Sequence, residues 1–253
     1  MKTPLITIIT VCYNSAATIK NTIESVLNQS HTNIEYILID GFSTDNTLAI
    51  IKSYESIFQE KKIAYKWISE PDKGIYDAFN KGIKLATGKW ISFLGSDDYY
   101  LENALALYAE KIADSQEEYD LVYSKVQVED GKIFKDTWSW NRFRRKMHIA
   151  HVGALQNKEY FKKYGLFDTS YAIAGDYELL LRAKEKLKTL KLEELTVIMS
   201  KGGISNTQII KTYKETTRAK LETAGVSKFS SMLDYYLWVL KYKVKIIINA
   251  IFR

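Results

Sequence analysis

The chain has 253 residues, 46% of them hydrophobic and 26% charged, with 36 Lys and Arg against 30 Asp and Glu. That length allows one large domain or two small ones around an ample core. A formal charge of +6 favours anionic ligands such as nucleic acid, lipid head groups or phosphorylated compounds. The single Cys12 excludes an internal disulfide framework and a multi-cysteine zinc site. No secretory signal and no run of about 18 apolar residues is present, so a cytoplasmic protein is expected.

Residues 5–12 are β-branched and apolar and predict a strand buried on both faces. Cys12, at its end, is expected in the core rather than as a nucleophile. Ile19, Ile23, Val26 and Leu27 have helical spacing within 17–28. A second strand over 34–39 ends at Asp40-Gly41, and a helix over 47–58 follows the capping candidates Ser43 and Asp45. A third strand over 64–68 stops at Glu70-Pro71-Asp72, a helix over 75–86 ends before Gly88, and 90–94 predict a fourth strand.

This alternation predicts an α/β fold, a mostly parallel central sheet flanked by helices. Ligands of such folds bind beyond the carboxyl ends of the strands, at the topological switch point. Asn14, Asp40, Asp72 and the pair Asp97-Asp98 each follow a predicted strand, which suggests one site rather than four unrelated turns. Adjacent carboxylates at a buried strand end must be paired, hydrogen-bonded or bound to a cation. Asp97 and Asp98 can therefore be hard oxygen ligands for Mg²⁺ or Mn²⁺, or one of them can cap a helix starting in Tyr-Tyr-Leu-Glu-Asn.

The second half changes character. Residues 121–128 predict a strand, and Glu129-Asp130-Gly131-Lys132 a hairpin turn into 133–135. A basic, aromatic stretch over 138–146 comes next, then helices over 159–164 and 176–186 and a strand over 190–199. With two prolines and no linker-like tract, one domain with a C-terminal appendage is expected.

The strings ITVCYNSAATI at 8–19, YILIDGFSTDNT at 36–47, SEPDKGIYDAFNKGIKLATGKWISFLGSDD at 69–98 and KKYGLFDTSYAIAGDYELLLR at 162–182 occur in a telling order and spacing. Over roughly 4–205 they resemble glycosyltransferase family 2, nucleotide-sugar enzymes of the GT-A (Rossmann-like) fold. Two features depart from the family pattern. The acidic string is Ser96-Asp97-Asp98 rather than a strict Asp-x-Asp, and Val152 follows His151 where Gln is common.

The resemblance implies a catalytic domain over 1–205, its donor half about 1–98 and its acceptor half about 99–205, with a helical segment over 206–253. It implies Asp98 as the Mg²⁺ or Mn²⁺ ligand, with Asp97 contacting ribose or supporting the metal. Thr10, Tyr13, Asn14 and Asp40 would cradle the nucleoside, although Asp40-Gly41 can also be a strand-ending Asx turn. Asp72 and Lys73 would face the donor, Lys73 as a diphosphate contact or a solvated loop residue. Asp77 and Asn80 would stabilise that loop. Asp176 would be the catalytic base of a single-displacement, inverting transfer, or the N-cap of a helix starting at Tyr177. Glu178 fits the first turn of that helix as a dipole partner. His151 is left between a diphosphate or metal contact and a structural role. Gly202 to Ser205 match a segment that closes over the donor, or form a plain turn.

From 235 to 253 the chain has no acid, and Leu237, Leu240, Val244, Ile247, Ile248 and Ile251 share a helical face flanked by Lys241, Lys243 and Lys245. Such a helix can lie in the cytoplasmic face of a membrane, which would suit a lipid-linked glycan acceptor, or pack on protein. The expected activity is hexosyl or N-acetylhexosaminyl transfer from a nucleotide diphosphate sugar to such an acceptor in surface polysaccharide synthesis. A catalytically silent carbohydrate- or membrane-binding module is the alternative, against which the intact acids argue. A dinucleotide-binding enzyme is disfavoured because G-x-G-x-x-G is missing. Nucleic acid is not an expected partner, and 138–146 are expected beside the acceptor or the membrane.

Overall fold

A computed structural model describes residues 5–251, with side chains through 248. The first half alternates as expected: β1 (Ile6–Cys12), α1 (Ile19–Leu27), β2 (Ile34–Asp40), α2 (Thr47–Ser53), α3 (Glu55–Glu60), β3 (Ala64–Ser69), α4 (Ile75–Leu85) and β4 (Trp90–Phe93). Every residue of β1, β2 and β4 is buried, as continuous apolar runs covered on both faces require. β3 is half exposed at the sheet edge.

The single helix expected over 47–58 is two. Tyr54 separates α2 from α3 because its side chain turns into the core, where its hydroxyl donates to Glu24 at 2.8 Å. The break leaves Phe58 facing inward, stacked on Tyr65 at 4.2 Å.

The second half adds β5 (Tyr99–Tyr100), α5 (Ala104–Ala113), β6 (Leu121–Val128), β7 (Ile133–Phe134), α6 (Trp140–Phe143), β8 (Ala154–Asn157), α7 (Lys158–Tyr164), α8 (Gly175–Leu181), β9 (Thr189–Met199), α9 (Ile204–Thr207), α10 (Ile209–Glu222) and α11 (Lys228–Ile251). The sheet order is β3-β2-β1-β4-β8-β6-β9-β5, with β7 paired to β6. Strands β3 to β4 are parallel. Beyond β4 the sheet is mixed: β8 runs antiparallel to β4 and β6, and β9 runs parallel to β6. Strand order thus reverses between β1 and β4, which opens a crevice at their carboxyl ends.

The C-terminal segment packs on the sheet domain through its first part. Lys220 of α10 is 0% exposed, paired with Asp234 of α11 and lying 4.8 Å from the Trp238 ring centroid. Asp234 also takes Arg145 at 2.7 Å. Beyond Trp238 the helix carries exposed apolar residues, Leu240 at 59% and Ile247 at 56% among them. The side chain of Ile251 and residues 252–253, expected to continue this face, lie outside the described residues.

Candidate active site

The crevice is built from the loops that follow β1, β2, β3 and β4. Tyr13 is 63% exposed there, beside the left-handed Asn14 at φ 50°. Asn14 Oδ1 accepts from the Thr44 N–H at 2.9 Å, and the Asn14 N–H donates to Ser43 Oγ at 2.8 Å. The β1 and β2 loops are therefore one locked unit. Ser15 extends it, its hydroxyl lying 2.9 Å from that of Ser96 in the acidic loop. Phe42, also left-handed, projects 61% exposed from the same unit.

Asp40 is fully buried at its centre. Its carboxylate accepts from the Ser43 N–H and hydroxyl and from Ser69 Oγ at 2.6 Å. The bonds from Ser43 reach three residues on rather than the two of the anticipated Asx turn, and the one from Ser69 fastens the β2 and β3 ends together. Asp72 lies against Gly41, where a Cβ would come within 2.6 Å of Asp72 Oδ2. Lys73 is exposed on this loop, and Asp77 accepts from its N–H at 3.1 Å. Asn80 exchanges two hydrogen bonds with the Phe167 backbone. Thr10 does not join this group. It is buried within β1 and accepts from the Tyr36 hydroxyl at 3.1 Å, because alternate strand residues face the helices rather than the strand ends. Cys12 is buried, as expected, with its thiol pKa raised by burial and by Asp40.

Asp98 is 8% exposed. Burial and the neighbouring Asp97 push its carboxyl pKa up to about 7, against the lowering effect of the Ser200 and Gly95 N–H groups. Ser200 donates to Asp98 Oδ1 at 2.8 Å. Gly95 makes the arrangement fit, since a Cβ there would lie 2.5 Å from Asp98 Oδ2 and 3.1 Å from Asp97 Oδ1. The residues that follow are β5, paired with β9, so neither acid caps a helix. A buried acid held near neutrality beside a second carboxylate suits a cation that displaces its proton. No group of three or more His, Cys, Asp or Glu side chains is placed to hold a metal ion among the described residues. A hexacoordinate cation at this pair would thus need oxygens from a bound phosphate or water.

Asp176 lies across the end of β9 from this pair. Met199 lines a cleft of about 570 Å³ together with His151 and Asp176, while the next residue, Ser200, bonds Asp98. The helix expected to start at Tyr177 starts at Gly175, with Ala174 as its N-cap. Asp176 is therefore inside the first turn, where its Oδ1 accepts from the Tyr177 N–H at 2.8 Å. Tyr76 sits beneath, and Gly175 is what lets it: a Cβ there would meet the ring at 2.7 Å. The strand of loop before Asp176 is held by Glu215 of α10, which accepts from the N–H groups of Ala172, Ile173 and Ala174 at 2.8–3.1 Å.

His151 is stacked on Phe93 at 4.9 Å, with its Nε2 lacking a hydrogen-bond partner and its pKa lowered by burial, opposed by Asp176. Glu178 is structural, paired with Arg182 and accepting from Thr223 at 2.9 Å. Ser205, the last residue of the segment expected to close over the donor, lines the cleft together with Asn206. Tyr76, Ser200, Phe42 and Glu215 escaped the sequence reading. A lone serine carries no pattern of its own, and Glu215 lies outside the recognisable motifs.

The strand order and polar carboxyl edge are those of the GT-A fold. The structure aligns with S. aureus TarS 1–349 in complex with UDP at a TM-score of 0.68, with 19% identity, over 92% of this chain and 70% of that one. It aligns with the mannosyltransferase PcManGT from Pyrobaculum calidifontis, solved with GDP-Man and Mn²⁺, at 0.68 and 15% identity, over 90% and 66%. The sequence pattern of glycosyl transferase family 2 matches residues 7–175, and the chain belongs to that family. Among relatives, the PGL/p-HBAD biosynthesis glycosyltransferase Rv2957 of Mycobacterium tuberculosis is 30% identical over 218 residues, 84% of either chain. The putative teichuronic acid biosynthesis glycosyltransferase TuaG of Bacillus subtilis is 33% identical over 128 residues, covering 51% of this chain and 50% of its own. The chain is accordingly a glycosyltransferase, with relatives named for PGL/p-HBAD and teichuronic acid biosynthesis.

Proposed function

We propose that the chain is an inverting transferase that moves a hexosyl or N-acetylhexosaminyl group from a nucleotide diphosphate sugar to a hydroxyl of a lipid-linked glycan. The carrying observation is the buried Asp98 beside Asp97 at the switch crevice, with a pKa near 7 and with Gly95 leaving room for both carboxylates. Solved relatives of this fold hold nucleotide sugars, and one of them holds Mn²⁺. Asp97 and Asp98 would hold Mg²⁺ or Mn²⁺. When bound, such a cation neutralises the charge that builds up on a departing diphosphate.

Tyr13, Asn14 and Phe42 offer the nucleoside an exposed rim, and Asp40 keeps that rim rigid. Asp72 and Lys73 would face the diphosphate side, where the exposed Lys73 supplies an ammonium. Asp176 would take the acceptor proton as its oxygen attacks the anomeric carbon. His151 would orient the same groups from the cleft wall. In this reading 1–98 bind the donor, 99–205 face the acceptor, and 206–253 form an appendage. The exposed apolar face of α11, with Lys241, Lys243 and Lys245 beside it, would rest on an anionic membrane at its cytoplasmic side. No helix among the described residues is long and apolar enough to cross a membrane.

Release of nucleoside diphosphate from candidate donors in the presence of Mn²⁺ and a membrane extract tests this function. Release that needs the metal and Asp176 supports it. Donor binding without any release, across donors and extracts, would favour the silent binding module instead.

A further inference from the structure

Beside the cleft that holds Asp176 lies a second one of about 490 Å³, walled by the β6–β7 hairpin and by α6. Lys132, Lys135, Arg142, Arg145 and Lys146 line it, against the single carboxylate of Asp136. That carboxylate is taken by Arg142 at 2.6 Å, and Arg145 is held by Asp234 at 2.7 Å. Lys132, Lys135 and Lys146 form no ion pair among the described residues. His148 also lines this cleft. It is 8% exposed, its Nδ1 lies 3.3 Å from the Lys146 carbonyl, and its Nε2 has no hydrogen-bond partner.

Asp136 and Asp234 answer two of these five cations, and the three lysines that remain repel one another unless an anion sits between them. The two clefts adjoin, since Lys132, Phe134, Lys146 and Met147 line both. A molecule with a hydroxyl at Asp176 that reaches over this shared wall would bring its further groups to the basic cleft. The chemistry there is the reverse of that at Asp97 and Asp98. Two carboxylates need a cation between them and a phosphate, whereas guanidinium and ammonium groups take phosphate oxygens directly.

We propose that the basic cleft is a phosphate subsite for the acceptor, receiving a diphosphate or phosphodiester that the acceptor carries. The proposal rests on the transferase reading and names the acceptor class for that reaction: a glycan joined to a phosphate, rather than a neutral sugar or a free polyol. Membrane head groups have the same charge. The acceptor is the better occupant because the cleft shares a wall with the one that Asp176 lines, so a group held in it is fixed relative to the reacting hydroxyl.

The test is calorimetry on the full chain in EDTA, which removes cation-dependent binding at Asp97 and Asp98. The probes are farnesyl diphosphate, inorganic pyrophosphate and farnesol, and the variant is Lys135→Gln with Lys146→Gln. Both lysines are exposed, so the variant is expected to fold, and its melting temperature checks this. Farnesyl diphosphate and pyrophosphate should bind the wild type and lose about tenfold or more in affinity in the variant, while any farnesol binding stays unchanged. Equal binding of farnesyl diphosphate to both proteins, or none to the wild type, overturns the proposal. So does a variant that loses only its adsorption to phosphatidylglycerol vesicles, which would make the cleft a membrane contact. Nucleotide-sugar binding with Mn²⁺ is measured on the same proteins. Its absence from the wild type would sink the transferase reading, whereas its presence without metal-free diphosphate binding would sink the subsite alone.

Discussion

The Tyr76 hydroxyl donates to the Ile173 carbonyl at 2.6 Å and reaches Asp176 Oδ1 at 3.3 Å, tying the acid to the helix that follows the donor-side loop. Gly175 allows that approach, and Glu215 pins the loop from the other side. Asp176→Asn keeps the shape of this network and removes only the basic oxygen. Turnover is expected to fall by about 10²-fold or more, as for a lost general base, with donor affinity unchanged. A parallel fall in donor affinity would move Asp176 from the chemistry into the binding site.

Glu35 supplies a pH dependence remote from the site. Burial raises its pKa, but hydrogen bonds from Lys66, Thr87 and Thr7 outweigh that and hold it below its ordinary value of 4.5. A depressed carboxylate stabilises the fold above its unfolded pKa and loses that contribution as pH falls through the folded one. Urea unfolding should therefore show wild-type stability dropping as pH is lowered below 4.5. Glu35→Gln should cost about 1–3 kcal/mol at neutral pH and flatten the acid slope. Identical slopes for the two proteins would remove Glu35 as the cause.

Lys220 depends on Asp234 in the same way that a buried ion depends on its partner. Burial lowers the Lys220 pKa, and Asp234 acts against this. Asp234→Ala leaves the ammonium buried without its carboxylate, which is expected to cost about 3–5 kcal/mol. Replacing the pair with Lys220→Met and Asp234→Leu should recover much of that loss. A single variant as stable as the wild type would show that α11 is not anchored through this pair.

The outer part of α11 should be separable from its inner part. A cut before Tyr235 would also remove Trp238, which packs on Tyr213 at 5.5 Å and on Lys220, so the fold itself would suffer. Leu240→Ser with Ile247→Ser spares those contacts. This variant is expected to melt like the wild type and to leave anionic vesicles in a sedimentation assay. Undiminished vesicle binding would exclude the apolar face as the anchor.

The parallel half of the fold was legible because β1, β2 and β4 are continuous apolar runs, each closed by a polar residue at the crevice. The rest was hidden for physical reasons. β5 has two residues and exists only through pairing with β9, while β8 is four residues long and half polar. α10 turns Thr217 and Lys220 inward, so no apolar stripe marks its buried face. Within the site, the acids at the strand ends could be picked out from order and spacing alone. Which side-chain oxygens are already occupied could not: Thr10 and Asp40 each lie in a recognisable motif, yet both spend their side chains on the protein itself.

The most direct measurement is calorimetric binding of UDP-, GDP- and dTDP-sugars to the wild type and Asp98→Asn, with and without Mn²⁺. Tight binding of one nucleotide class that requires the metal, and that weakens at least tenfold in the variant, is the expected result. Donor binding of equal strength in both proteins, with or without Mn²⁺, would contradict the assignment of Asp98 and Asp97 to a cation that holds the donor.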